Sequence, residues 1–140
     1  MLSGAPFNQN LPKTQMQTMT PEYRELIKGA ALAAGFSLVW ADDGSMCWLA
    51  ECYDGRQNTD DPWNPLVSDV DAFRLGIRLG MDTGQGFEMA FATLTVPPAD
   101  DVGEARHTEA HEQYSDHAGD IYAASRRAIV RTAAAMDTAP

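Results

Sequence analysis

The chain has 140 residues, 44% of them hydrophobic and 9% aromatic, which suffices for one buried core and is too little for two ordinary domains. Twenty acidic residues against ten Lys and Arg give a formal net charge of −10, which argues against general nucleic-acid binding and favours partners that are basic, neutral or small. No apolar run approaches the ~20 residues that cross a bilayer, and the N-terminus is polar with Lys13 its one charge through Met19, unlike a signal peptide, so a cytoplasmic protein that does not engage membranes is expected.

Residues 1–19, with Gly4, Pro6, Pro12 and several amides but no apolar period, are expected to form a flexible lead-in to a single domain over 20–140. Thr20-Pro21-Glu22 then supplies an N-cap, a proline at the first helical position and an early acid. Tyr23, Leu26, Ile27, Ala30, Ala31 and Ala34 repeat at helical spacing, and Gly35 is a left-handed stop. From Phe36 the period changes to two. Phe36, Leu38 and Trp40 alternate, Asp42-Asp43-Gly44-Ser45 carries a hairpin signal, and Met46, Trp48, Ala50 and Cys52 alternate again. This predicts a β-hairpin with Trp40 and Trp48 turned to the core. Cys47 and Cys52 fall on opposite faces of one strand and outside any CxxC spacing, so they read as small buried side chains.

A turn-rich stretch over 53–58 leads to Asp61-Pro62-Trp63-Asn64-Pro65-Leu66, where two prolines fix the backbone around Trp63. Ser68, with Asp69 and Asp71 in the first turn behind it, starts a helix predicted over Asp69–Leu79. Its buried side is expected to carry Val70, Phe73 and Ile77, flanked by Ala72, Leu75, Gly76 and Leu79. Gly80, Gly84 and Gly86 surround a polar turn, and Phe87 to Val96 reads as a long strand ended by Pro97-Pro98. Residues 99–117 read as an acidic loop holding all three histidines, with a short helix as the alternative over His107–Tyr114. The last helix is expected from about His117 to Met136, with Ile121, Ser125, Ala128, Ile129, Thr132 and Met136 on one face. The predicted architecture is α+β: a single layered domain of order α-β-β-α-β-α, with a mostly antiparallel three-stranded sheet and packed helices.

Four features together resemble small proteins of tailed phages and prophages grouped as the phage alpha-beta-alpha (ABA) sandwich domain. They are the leading helix ending at Ala34-Gly35, the Trp-bearing hairpin, Trp63-Asn64-Pro65-Leu66 followed by Asp71-Ala72-Phe73-Arg74-Leu75, and the closing Ala124-Ser125-Arg126-Arg127-Ala128-Ile129-Val130-Arg131. The likeness covers about 21–80 and 120–136, and segment 81–119 departs from it. It implies a phage-encoded accessory protein acting in a bacterial host, with that layered fold, and it carries over no catalytic residue.

Three groups of residues could carry chemistry. Trp63, with Asn64, is either a recognition residue presented by its loop or a structural lid over the sheet. Arg74 with Arg78, and Arg127 with Arg131, are i,i+4 pairs, each able to grip a phosphate or carboxylate or simply to line a solvated face. His107 and His111 have helical i,i+4 spacing with His117 beyond, a weak metal-ligand signal lacking the His-Glu-x-x-His order. No Gly-x-Ser-x-Gly elbow or phosphate-binding glycine loop is present, and no cofactor is expected. The expected function is therefore a non-enzymatic accessory protein that sequesters a host protein or a small anionic, nucleotide-like signalling ligand, in countering host defence. A metal-dependent hydrolase built on His107, His111 and His117 is the alternative. Free sheet edges and the alanine face of the first helix also make a homodimer an expected partner.

Overall fold

The computed structural model describes residues 19–50, 62–98 and 103–138; the N-terminal lead-in through residue 18, Cys52 with the turn-rich stretch after it, and residues 99–102 lie outside the described residues. Thr20 caps the first helix, α1 (Pro21–Ala34), through a 3.2 Å hydrogen bond from the Tyr23 amide to its hydroxyl oxygen, and Gly35 ends the helix at φ 78°. The helix buries Ile27, Ala30, Ala31 and Ala34, the small face its spacing predicts.

The hairpin pairs β1 (Leu38–Trp40) with β2 (Cys47–Leu49) as a separate two-stranded sheet. Leu38 lies opposite Leu49 and Trp40 opposite Cys47, and this face joins the core. Trp48 pairs instead with exposed Val39, so the second strand's inward set is shifted by one residue from the expected Met46-Trp48-Ala50 alternation. With a side-chain period of two, that single step exchanges the faces.

Ser68 caps α2 (Asp69–Leu79) by accepting from the Asp71 amide at 3.2 Å, and Gly80 closes the helix at φ 72°. Its orientation corrects the sequence expectation. The buried face carries Asp71, Ala72, Leu75 and Gly76, and the stripe Val70, Phe73 and Ile77 points to solvent. Two features turn it that way: the buried Asp71 carboxylate accepts the Asn64 amide at 2.9 Å, and Ala72 and Leu75 are buried in the interior beside it.

After α2 the chain forms an antiparallel meander of β3 (Asp82–Gln85), β4 (Met89–Val96) and β5 (Arg106–Gln113), in the order β3-β4-β5. Only β4 is evident in the sequence. Within the expected acidic histidine loop Arg106–Gln113 forms strand β5, and the nearby helical signal is a single 3-10 turn over Tyr114–His117. The final helix α3 (Ile121–Thr138) lies between this sheet and helices α1 and α2. Ala124 and Ala128 of α3 and Ala90, Ala92, Leu94 and Ala110 of the sheet are buried at that interface, where the Thr132 hydroxyl donates to the Ala92 carbonyl at 3.1 Å. On the other side α1 crosses closely, because a Cβ on Gly29 would stand 3.0 Å from that of Ala134. The class is α+β and the succession α-β-β-α-β-α holds, its last β position being filled by the meander. Among the described residues no helix is long and apolar enough to cross a membrane.

Candidate functional site

Trp63 belongs to the core, not to a binding face. It is 1% exposed, its ring meets Phe36 edge-on at 5.8 Å, and its amide donates to the Cys47 carbonyl at 2.8 Å. The Cys47 thiol donates back to the Trp63 carbonyl at 3.4 Å, and burial, with the Asp71 charge beside it, pushes that thiol up to about 12. Asn64 is buried too, its side-chain oxygen accepting from the Leu66 amide at 3.0 Å. Of the arginines expected to share a pocket with Trp63, Arg78 donates to the Ala34 carbonyl at 3.1 Å and covers the Phe36 ring at 5.1 Å, so it joins α2 to the end of α1. Arg74 is exposed on α2. The expected stacking pocket is thus replaced by a structural lid.

The second arginine pair does converge, on an acid of the same chain. Arg131 contacts the buried Glu112 carboxylate, Arg127 lies 3.7 Å from it, and His117 Nε2 is 2.8 Å away. Burial pushes the Glu112 carboxyl upward, but the His117 and Arg131 hydrogen bonds and the Arg131 and Arg127 charges outweigh it and hold the group below its usual value. Arg127 also pairs with Glu22 at 3.3 Å and stacks over Tyr23. Arg126, absent from the expected site, donates to the Leu66 carbonyl at 2.9 Å and to Asp69 at 2.6 Å. A cleft of about 190 Å³ remains between Tyr23, His117, Arg126 and Arg127, but each of these cations is already matched by an acid.

The three histidines do not form one group. On strand β5, His107, Glu109 and His111 alternate onto the outer face, with Glu109 accepting from His107 at 3.0 Å and from His111 at 2.8 Å. These bonds, that of His111 foremost, hold the Glu109 carboxyl below its usual value. Residues i and i+4, one turn apart on a helix, stand roughly 13 Å apart along a strand. The two imidazoles reach towards each other from those positions and meet on the Glu109 carboxylate between them, while His117 sits apart on Glu112. Among the described residues no group of three His, Cys, Asp or Glu could hold a metal.

Exposed large apolar side chains are scattered, Phe87 at 97%, Leu32 at 63% and Val39 at 54% among them, but on α2 and the start of α3 several lie together. Val70 is 59% exposed, Phe73 66%, Ile77 63% and Tyr122 63%. The α2 residues fall at i, i+3 and i+7, one stripe of the helix. Beside them runs a groove of about 410 Å³, walled by Val70 and Phe73 on one side and Thr83 and Gln85 of β3 on the other, with Tyr122 and Ile129 between. A larger groove of about 560 Å³ between α1, α3 and β5 is rimmed instead by charges of both signs, Glu22, Glu25, Lys28, Glu109 and Arg131. Sequence reasoning found the α2 stripe but aimed it inward. The signal that could have corrected it is the competing Asp71-Ala72-Leu75-Gly76 face, which carries Leu75 and Ala72 into the core. Comparison of the chain with protein-family models, with curated proteins and with solved structures finds no match.

Proposed function

We propose that this chain is a non-enzymatic binding protein that takes up a host protein on the α2 stripe. The observation that carries this reading is the exposure of Val70, Phe73 and Ile77 in one row beside an apolar groove. Apolar patches of this kind on a soluble protein mark interaction surfaces, and a central aromatic such as Phe73 is the usual energetic anchor. The chain's charge of −10 selects a partner segment that is apolar at its centre and rich in Lys and Arg at its rim. The resemblance to phage accessory proteins supports a bacterial partner and sequestration, in countering host defence, as the use of the binding. The small-anion branch has less support: Trp63 is sealed, Arg78 is bound to Ala34, and Arg127 and Arg131 already hold Glu112.

The test is capture from bacterial lysate on immobilised wild-type protein and on Phe73→Asp, followed by amide-shift mapping with the retained protein. Retention that Phe73→Asp abolishes, that rising salt weakens, and that shifts residues 70–77 and 122 supports the reading. Retention of nothing, or equal retention by the variant, overturns it.

A further inference from the structure

The geometry points to a second copy of this chain as the occupant of the α2–β3 surface when no other partner is present. The inference rests on reading the α2 stripe as a contact surface and adds what covers it in the free protein. Among the described residues strand β3 is an edge of its sheet. The Gly86 amide donates to the Met89 carbonyl at 2.7 Å, so the hydrogen-bonding residues of β3 that face β4 are Gly86, Gly84 and Asp82. By the same alternation, the amide and carbonyl of Thr83 and of Gln85 face outward, along the groove that Val70 and Phe73 wall.

An outward row of this length is self-complementary. Placed antiparallel about a two-fold axis through Gly84, Thr83 meets the partner's Gln85 and Gln85 meets the partner's Thr83, four N–H···O bonds in all. The two sheets then become one sheet of six strands. Gly84 suits the axis. The Phe91 ring already lies over it, so that a Cβ there would stand 2.4 Å from the ring, and Gly84 itself brings no side chain to the axis. Each face of the new junction has exposed aromatic surface at hand: Phe91, 36% exposed, covers one, and Phe73 and Tyr122 flank the other.

Magnitudes set the strength. Val70, Phe73, Ile77 and Tyr122 expose on the order of 400–500 Å² per copy, taking large side chains at roughly 150–250 Å² each. That is about half of the ~800 Å² per partner in a stable complex, so the pairing is weak, with a dissociation constant on the order of 100 µM. Each copy carries a charge of −10, so the pairing strengthens as salt screens the repulsion. A Lys- and Arg-rimmed partner responds to salt in the opposite sense. Self-pairing and partner binding use the same residues and therefore exclude each other.

Sedimentation equilibrium of the full chain from roughly 10 µM to 1 mM, a range bracketing that constant, tests this at low and high salt. The expected mass rises from 15.2 kDa towards twice that value, more so in high salt. Phe73→Asp weakens pairing by roughly 30-fold or more, as loss of an interface anchor does. Hydrogen exchange adds a readout specific to the edge: the Thr83 and Gln85 amides slow in concentrated wild-type protein and not in the variant. A mass of 15.2 kDa throughout, a dimer indifferent to Phe73→Asp, or a dimer in which those amides exchange freely overturns the proposal. A monomeric wild type whose lysate capture still depends on Phe73 removes self-pairing alone. A Phe73-dependent dimer that captures nothing removes the host-partner reading alone.

Discussion

Trp63 and Phe73 lie ten residues apart and show two ways in which a large aromatic is held. Trp63 sits in a loop without regular structure, yet its peptide bonds reach the Cys47 carbonyl and thiol, and the Phe36 ring seals it. Phe73 sits on a well-capped helix whose buried residues are Asp71, Ala72, Leu75 and Gly76, and its own ring is 66% exposed. Order in the backbone and burial of the side chain are therefore separate properties. The irregular segment is fixed by what it touches, whereas the regular one is fixed internally and leaves a face for another molecule.

The largest expected effect lies at the loop. Trp63→Ala should destabilise the fold by ~3–5 kcal/mol, the usual loss for a fully buried tryptophan, seen as a lower urea midpoint; a change below about 1 kcal/mol would dissolve the contrast with Phe73.

Next in size is the Glu112 cluster, which ties β5 to α3. Glu112→Gln should cost about 3 kcal/mol at pH 7, since it leaves half-buried Arg131 and His117 without their anion. The folded carboxyl titrates below its ordinary value of 4.5, so its stabilisation is present above that value and is lost as pH falls through the folded one. Urea midpoints of wild type and variant should therefore converge as pH is lowered below 4.5. A constant gap across that range would show that the ionised carboxylate is not what stabilises the junction.

The smallest expected effect is on the stability of Phe73→Asp, within about 0.5 kcal/mol of wild type, as for surface substitutions. A cooperative unfolding curve matching wild type sharpens the comparison, because binding then changes without folding; a drop of several kcal/mol would place Phe73 in the core.

How far the fold could be read in advance follows from the same physics. Helix α1 was legible to its caps because Thr20, Pro21 and Gly35 act locally. The start of α2 was legible for the same reason, through Ser68. Its orientation was not, since the helix has two faces able to pack and the choice depends on Asn64 meeting Asp71. Strand β5, Arg-His-Thr-Glu-Ala-His-Glu-Gln, has almost no apolar content. Its inward Thr108 and Glu112 are satisfied by Thr132 and Arg131 of α3, partners that no local pattern reveals. The histidine spacing was correct and its meaning was lost when helix became strand. Tyr122 and the outward edge of β3 complete the candidate surface only in three dimensions.

The close crossing of α1 and α3 also sets the order of assembly. Gly29 nests against Ala134, and the Arg127–Glu22 pair nearby spans 105 residues of chain. Such distant pairings close slowly, because chain entropy is lost before contact energy is gained. During synthesis α1 therefore waits with Ile27 and its alanine face uncovered until α3 has left the ribosome, and the core closes only then.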